Sequence, residues 1–487
     1  MDQSSMAILI VGASMFIPLY IGAKAGEKDI NTVSDFFIQD RDMGLVMAFF
    51  TVQATWWSAF AFIGATGYYY YYGPLYWTTF GWDILFGILF FFIGKRIWFY
   101  GKENQYMTST DFFTDIYQSE ILGIIVTGTM MLFTIPYFEI QISGGAYLIE
   151  EVSKGLIPSE MGAFVFTTVI VIYVWTGGLR AVAWADVFYE ILILASAVLS
   201  GAYIIYYFGG IDKLFSEIYS VSPESLTLPN NIEGSLLWLS MFIIVPIGAL
   251  MGPPLWIRMY AIRDAKIFYI MPLLLAGISI VNISPMLIGN AGILLEAQLI
   301  EADTLFPKII MNHVPHMLAF IIIIGGAAAA MSTSNSQIHA ISALYTIDIH
   351  KRYINKKSDD KRLLSIGRIV ILIFAVLSFM AYVYIPGLMV QIGLIALSGT
   401  AQIFVPTVGA LFWEKSNAKG AISGIIAGLI ALAYFSLVRG VDIGHSGLLG
   451  LATNALVFVL ISLTTKTCRQ TQEKIANMKS KYNNAFR

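Results

Sequence analysis

From Ala329 to Ser336 the chain reads AAMSTSNS, and Ala329, Ser332, Thr333 and Ser336 fall at i, i+3, i+4 and i+7, on one face of a helix. Hydroxyl and carbonyl oxygens at that spacing are hard, neutral ligands. They suit a small hard cation and are poor partners for zinc or copper. Hydrogen bonding between helices, common for Ser and Thr inside a membrane, competes with that reading. A buried acid tilts the balance. Asp186, in LRAVAWADVFYE, sits about one turn into an apolar stretch, where an unpaired charge costs about 2.5 to 3.5 kcal/mol and a counter-ion is expected. Either a bound cation or Arg180 fills that role. Glu139 and Gln141 in PYFEIQ, and Asp83 after Trp82, are further polar residues in apolar surroundings. They face a polar solute or, for Asp83, the membrane interface. Trp56 and Trp57 lie too deep for an interfacial aromatic belt, whereas the tyrosines from Tyr68 to Tyr72 suit one. The sequence holds no HExxH, GxSxG or phosphate-loop pattern, so an enzyme is not expected. His313 and His316 lack further zinc-type ligands, and His339, alone one turn from Ser336, reads as a core residue.

The elements that position these residues follow from composition. Of 487 residues 57% are hydrophobic and 12% charged, against about 25% charged in a soluble domain, and the mean hydropathy is +0.73. This is the make-up of an all-α integral membrane protein, with the lipid bilayer as a partner and no nucleic acid. The net charge of −2 is silent about partners, and the lone Cys468 excludes an intramolecular disulfide. A span-length window finds thirteen apolar stretches, near 5–24, 44–73, 78–99, 120–148, 160–179, 183–208, 235–262, 266–290, 314–345, 366–386, 388–413, 419–438 and 446–465. Long alternating strands are absent, so helices must satisfy the backbone in lipid. The first stretch lacks a basic leader and a cleavage site and reads as a span. When the Lys and Arg residues are assigned to alternating connections, 25 of 29 fall on one side. The positive-inside rule makes that side cytoplasmic, with the N-terminus outside and the C-terminus inside a plasma membrane. Residues 1–465 form one transporter domain, and residues 466–487 a basic cytoplasmic tail that is solvated or touches anionic lipid.

Two stretches carry helix breakers at mid-membrane. The second holds Gln53, Thr55, Ser58, Gly64 and Gly67, and the seventh holds Pro246, Gly248, Gly252, Pro253 and Pro254. Paired interrupted segments mark the binding site in many transporters. Their odd offset of five makes them cross in opposite directions, which predicts a 5+5 inverted repeat. Helices 2–6 span about 44–208 and helices 7–11 about 235–413, with one helix before and two after.

With these features in view, the chain resembles the sodium/solute symporter family, prokaryotic type, whose members share the leucine-transporter fold. SNAKGAISGIIAGL at 416–429, WTGGLRAVAWADVFYE at 175–190 and MSTSNSQ followed by DIHKRY are similar to family motifs, and GPPLWIRMYAIRD is a looser match. The resemblance implies a principal sodium site from the carbonyls of Ala54, Trp57 and Ala329 and the hydroxyls of Ser332 and Thr333. It implies a second sodium site at Asp186, Ser332 and Ser336, with Asn335 where a serine is usual, so one sodium per cycle is the safer expectation. Phe60 and Ala61 stand where sugar carriers place polar groups. With Trp56, Ser58, Asp83, Glu139 and Gln141 they form the expected solute site, for a carboxylate or amino acid. Na+ is then the coupling ion, with no organic cofactor. A proton-coupled carrier using Asp186 or Glu139, and a sensor or channel-like protein that accumulates nothing, remain open. Solute identity and oligomeric state are not legible.

Overall fold

A computed structural model describes residues 33–176, 179–228, 231–385 and 387–486, with Gly12 and Tyr20 besides. The expected span near 5–24, and Gly177 and Gly178 of the GGL motif, therefore lie outside the described residues. Among those described, ten helices are long and apolar enough to cross a membrane, and two shorter apolar helices, Leu45–Trp56 and Ser159–Ile172, accompany them. The described residues contain no β-strand, only an isolated bridge between Met43 and Ile262. The chain is a multi-pass helical membrane protein. Leu273, Val376 and Leu437 are among the large apolar side chains on its outside, the surface that lipid requires.

The helices that build the site are α1 (Leu45–Trp56), α2 (Ala65–Tyr72), α3 (Thr79–Leu89), α4 (Glu120–Val152), α5 (Leu179–Phe208), α6 (Ile232–Met251), α7 (Pro253–Ala261), α8 (Ile283–Leu295), α9 (His316–Ala343) and α10 (Met389–Ala401). A further helix, α11 (Arg469–Ala485), closes the chain.

The first helical interruption lies at Trp57 and Ser58, between α1 and the wide turn Phe60–Gly64, and so precedes both glycines that the sequence singles out. Trp57 leaves the helix with ψ 88°. Ser58 Oγ then accepts a hydrogen bond from Phe60 N at 3.2 Å, the local competition by which serine opens a helix. Gly67 serves close approach instead: a Cβ there would lie 2.5 Å from the carbonyl oxygen of Ala302. The second interruption is at Gly252, extended at φ −63°, ψ 139°. Pro253 and Pro254 open α7, where the missing N–H groups cost nothing.

Small residues let the remaining helices close around these breaks. A Cβ on Gly325 of α9 would meet Ser196 Cβ of α5 at 2.2 Å, and one on Gly248 of α6 would meet the Leu397 carbonyl oxygen of α10 at 2.1 Å. Tyr68 and Tyr69 are buried and only Tyr71 and Tyr72 of that run are exposed, so the tyrosines mostly pack inward and do not form a belt. The basic tail is docked: Ile475 and Met478 are buried, and Lys474 meets Asp115 at 2.7 Å while Lys479 meets Glu414 at 3.3 Å.

Candidate cation and solute site

The hydroxyl face of α9 lands on the end of α1. Ser332 Oγ donates to the Ala54 carbonyl at 2.8 Å and lies 3.1 Å from the Ala329 carbonyl. Thr333 Oγ1 reaches the same Ala54 oxygen at 3.1 Å. Four of the five expected principal ligands thus converge where α1 stops and its carbonyls lose their helical partners. Trp57, the fifth, is the residue at the break itself. All five are buried. The donor set is neutral oxygen only, which fits a small hard monovalent cation. Gln141 holds the break open: its Oε1 accepts from Ala59 N at 3.0 Å, while its Nε2 donates to the Tyr137 carbonyl at 3.0 Å.

The second expected set receives a cation from the chain itself. Arg258 of α7 places Nη2 2.9 Å from Asp186 Oδ2 and 2.5 Å from Ser336 Oγ. Its Nε donates to Thr51 Oγ1 at 2.9 Å and to the Thr51 carbonyl at 3.1 Å. Asp186 Oδ2 also accepts from Thr51 Oγ1 at 2.5 Å. The counter-ion of Asp186 is Arg258; Arg180 instead faces Asp35 at 3.4 Å. Asn335 is buried and its amide makes no hydrogen bond.

The solute candidates separate into different roles. A narrow cavity of about 20 Å³ lies beside the two breaks, lined by Thr55, Trp56, Thr134, Tyr137, Gln337 and Thr400 together with apolar residues of α4, α6, α7 and α10. Of the expected solute residues only Trp56 lines it. Asp83 is buried away from any interface. It accepts from Trp56 Nε1 at 2.5 Å and from Asn282 Nδ2 at 2.8 Å, and so orients the indole. Phe86 stacks on Trp56 with ring centroids 5.0 Å apart, and Phe60 stacks on Trp82 at 6.0 Å. Glu139 takes the Ser143 hydroxyl at 2.6 Å, and Gln141, Ser58 and Ala61 serve or flank the break. Gln337 ends the polar MSTSNSQ run, whereas Thr134 and Thr400 carry no sequence signal of their own, because distant helices bring them together. Tyr137 stood beside Glu139 in a stretch already singled out.

The end of the bundle that carries α2 is covered by the segment after α8. Tyr70 OH donates to the Glu296 carbonyl at 3.0 Å, and Asp303 Oδ2 caps α10 by accepting from Met389 N at 2.7 Å. Burial pushes the Asp303 carboxyl up to about 7, against the pull of the Met389 amide.

Several known proteins are similar to this chain. An uncharacterized symporter of Bacillus subtilis (strain 168), YhjB, is 24% identical over 481 residues, covering 95% of this chain and 98% of its own. The sodium/pantothenate symporter of Escherichia coli (strain K12) is 25% identical over 428 residues, covering 84% and 85%. The sodium/proline symporter of Salmonella typhimurium is 24% identical over 410 residues, covering 78% of each. The solved structure of a Na+-coupled sialic acid symporter, substrate-bound and outward-open, shares the fold with TM-score 0.81 at 18% identity, covering 96% of this chain and 99% of that one. These are transporters and not enzymes. Residues 36–428 match the sodium:solute symporter family, and the chain belongs to it.

Proposed function

We propose that the protein is a sodium-driven importer of a small organic solute, working by alternating access in the plasma membrane. The observation that carries this reading is the meeting of Ser332 and Thr333 with the Ala54 carbonyl at the broken end of α1. Sodium bound there bridges α1 to α9, orders the break and tightens solute binding in the adjoining cavity; the coupling is reciprocal. One sodium moves per cycle, because the Arg258 guanidinium already neutralises Asp186. In this reading residues 1–465 form one domain of thirteen spans with the N-terminus outside. Helices 2–6 and 7–11 form an inverted repeat, and residues 466–487 are cytoplasmic.

The solute is a carboxylate or amino acid. The similarity to symporters for pantothenate and for proline, both carboxylates, supports this. The lining of the cavity is mostly apolar, with the Thr55, Thr134 and Thr400 hydroxyls and the Gln337 amide among it and no charged group among the described residues, so the bound sodium balances a solute carboxylate. Proteoliposome uptake of a panel containing L-proline, pantothenate and short-chain carboxylates tests the reading. A sodium gradient should concentrate at least one of them, and a pH gradient without sodium should not. Uptake driven by the pH gradient alone would make the carrier proton-coupled.

A further inference from the structure

Glu190 stands one turn beyond Asp186 on α5, is fully buried, and neither of its carboxylate oxygens has a hydrogen-bond partner. Asp186 lies four residues before it on the same helical face, and Asp83 is a second buried acid beside α1. Each of those acids is tied to α1, Asp186 through Thr51 and Asp83 through Trp56, so they bracket the turn that carries Ala54. The Arg258 charge is matched by Asp186. Among the described residues, the elements packed on this side of α5 offer Glu190 no cation. α1 and α8 contain no ionisable residue; of the two histidines of α9, His316 is exposed at its start and His339 Nε2 lies 3.0 Å from the Phe36 carbonyl. Asp35 beside α5 meets Arg180. Among the described residues an ionised carboxylate so placed has neither a counter-charge nor a donor, and burying one unpaired is prohibitive.

We infer that Glu190 is a proton-binding site that competes with sodium. It holds a proton while α1 and α9 are closed on each other without the ion. A sodium ion at Ala54 adds a positive charge within the same turn of α1 and favours loss of that proton to water. The balance is one Na+ bound and one H+ released, with no other reactant. By linkage, acid must weaken sodium binding to the same degree that sodium weakens proton binding.

This rests on the sodium reading above, and the test separates the two. Full-length protein and its Glu190→Gln and Asp83→Asn variants are titrated with NaCl against choline chloride at constant ionic strength, over a series of pH values. Intrinsic tryptophan fluorescence and thermal stabilisation are the readouts. In the unaltered protein the half-saturating sodium concentration should rise as pH falls, by up to about tenfold per pH unit, the limit for one competing proton. Glu190→Gln should respond to sodium with no pH dependence, while Asp83→Asn keeps the slope. Equal slopes in the unaltered and Glu190→Gln proteins, or loss of the slope only in Asp83→Asn, would overturn the inference and leave the sodium reading intact. Infrared spectra in sodium-free buffer give a readout independent of sodium, with Glu190→Met as a second variant if the glutamine protein does not fold. A protonated-carboxyl band that either variant removes is expected. Its absence from the unaltered protein overturns the inference whatever the sodium titration shows.

Discussion

Removing the Arg258 guanidinium by Arg258→Met should cost more than any other single change at the site. Asp186 and Arg258 are 0% and 1% exposed, so neither charge can turn to water. Breaking a buried pair by deleting one partner costs about 3 to 5 kcal/mol, most of it the penalty on the abandoned charge. Asp186 would keep only the Thr51 hydroxyl, and Ser336 and the Thr51 carbonyl would lose a charged donor. Changing both partners, as Arg258→Met with Asp186→Leu, removes both charges and should recover most of the loss. Denaturant unfolding of the purified proteins in one detergent, arranged as a double-mutant cycle, measures the coupling. The coupling should be about 2 kcal/mol or more, with the double variant more stable than Arg258→Met. Additive losses, or a loss below about 1 kcal/mol in Arg258→Met, would refute it.

Other consequences concern neighbouring parts of the site. Ser332→Ala or Thr333→Ala should raise the sodium concentration needed for half-maximal stabilisation by about tenfold or more, since each removes an oxygen from a charged partner worth roughly 1.5 to 3 kcal/mol. Membrane insertion should be unaffected, as fractionation and gel filtration would report. Gly248→Ala drives a Cβ to 2.1 Å from a backbone oxygen of α10, whereas Gly128 has nothing within 4 Å. The first change should lower the melting temperature markedly and Gly128→Ala should not. Asp303 has a folded-state value of about 7, above its unfolded value of about 3.9. Its contribution to stability is therefore complete below about pH 4 and is lost as pH rises through 7. Asp303→Asn should flatten the melting temperature across that window, and an unchanged pH profile would contradict the assignment.

What the sequence conveys follows the range of each interaction. The stripe of Ala329, Ser332 and Thr333 is legible because helical periodicity is local, and the break near Ser58 because the polar residues interrupt an apolar run. Gly64 and Gly67 mislead: glycine signals both a break and a close approach, and only the packed neighbours, Met389 at Gly64 and Ala302 at Gly67, distinguish the two. Arg258 is legible in type but not in role. It stands within the first turns after a double proline, inside the membrane stretch, yet reads as one more cytoplasmic charge because Asp186 lies 72 positions away. Glu190 carries a usable signal, a second acid four residues after Asp186 on the same helical face. Asp83 is pulled inward by Trp56 and Asn282, the latter 199 residues distant. No local pattern encodes such a partner.

In the sodium reading one ion binds where α1 meets α9. Equilibrium binding of radiolabelled sodium to the purified protein, alone and as the Ser332→Ala/Thr333→Ala double variant, tests it most directly. Binding should be saturable, approach one ion per chain and be lost in the folded double variant. Undiminished binding in that variant would contradict it.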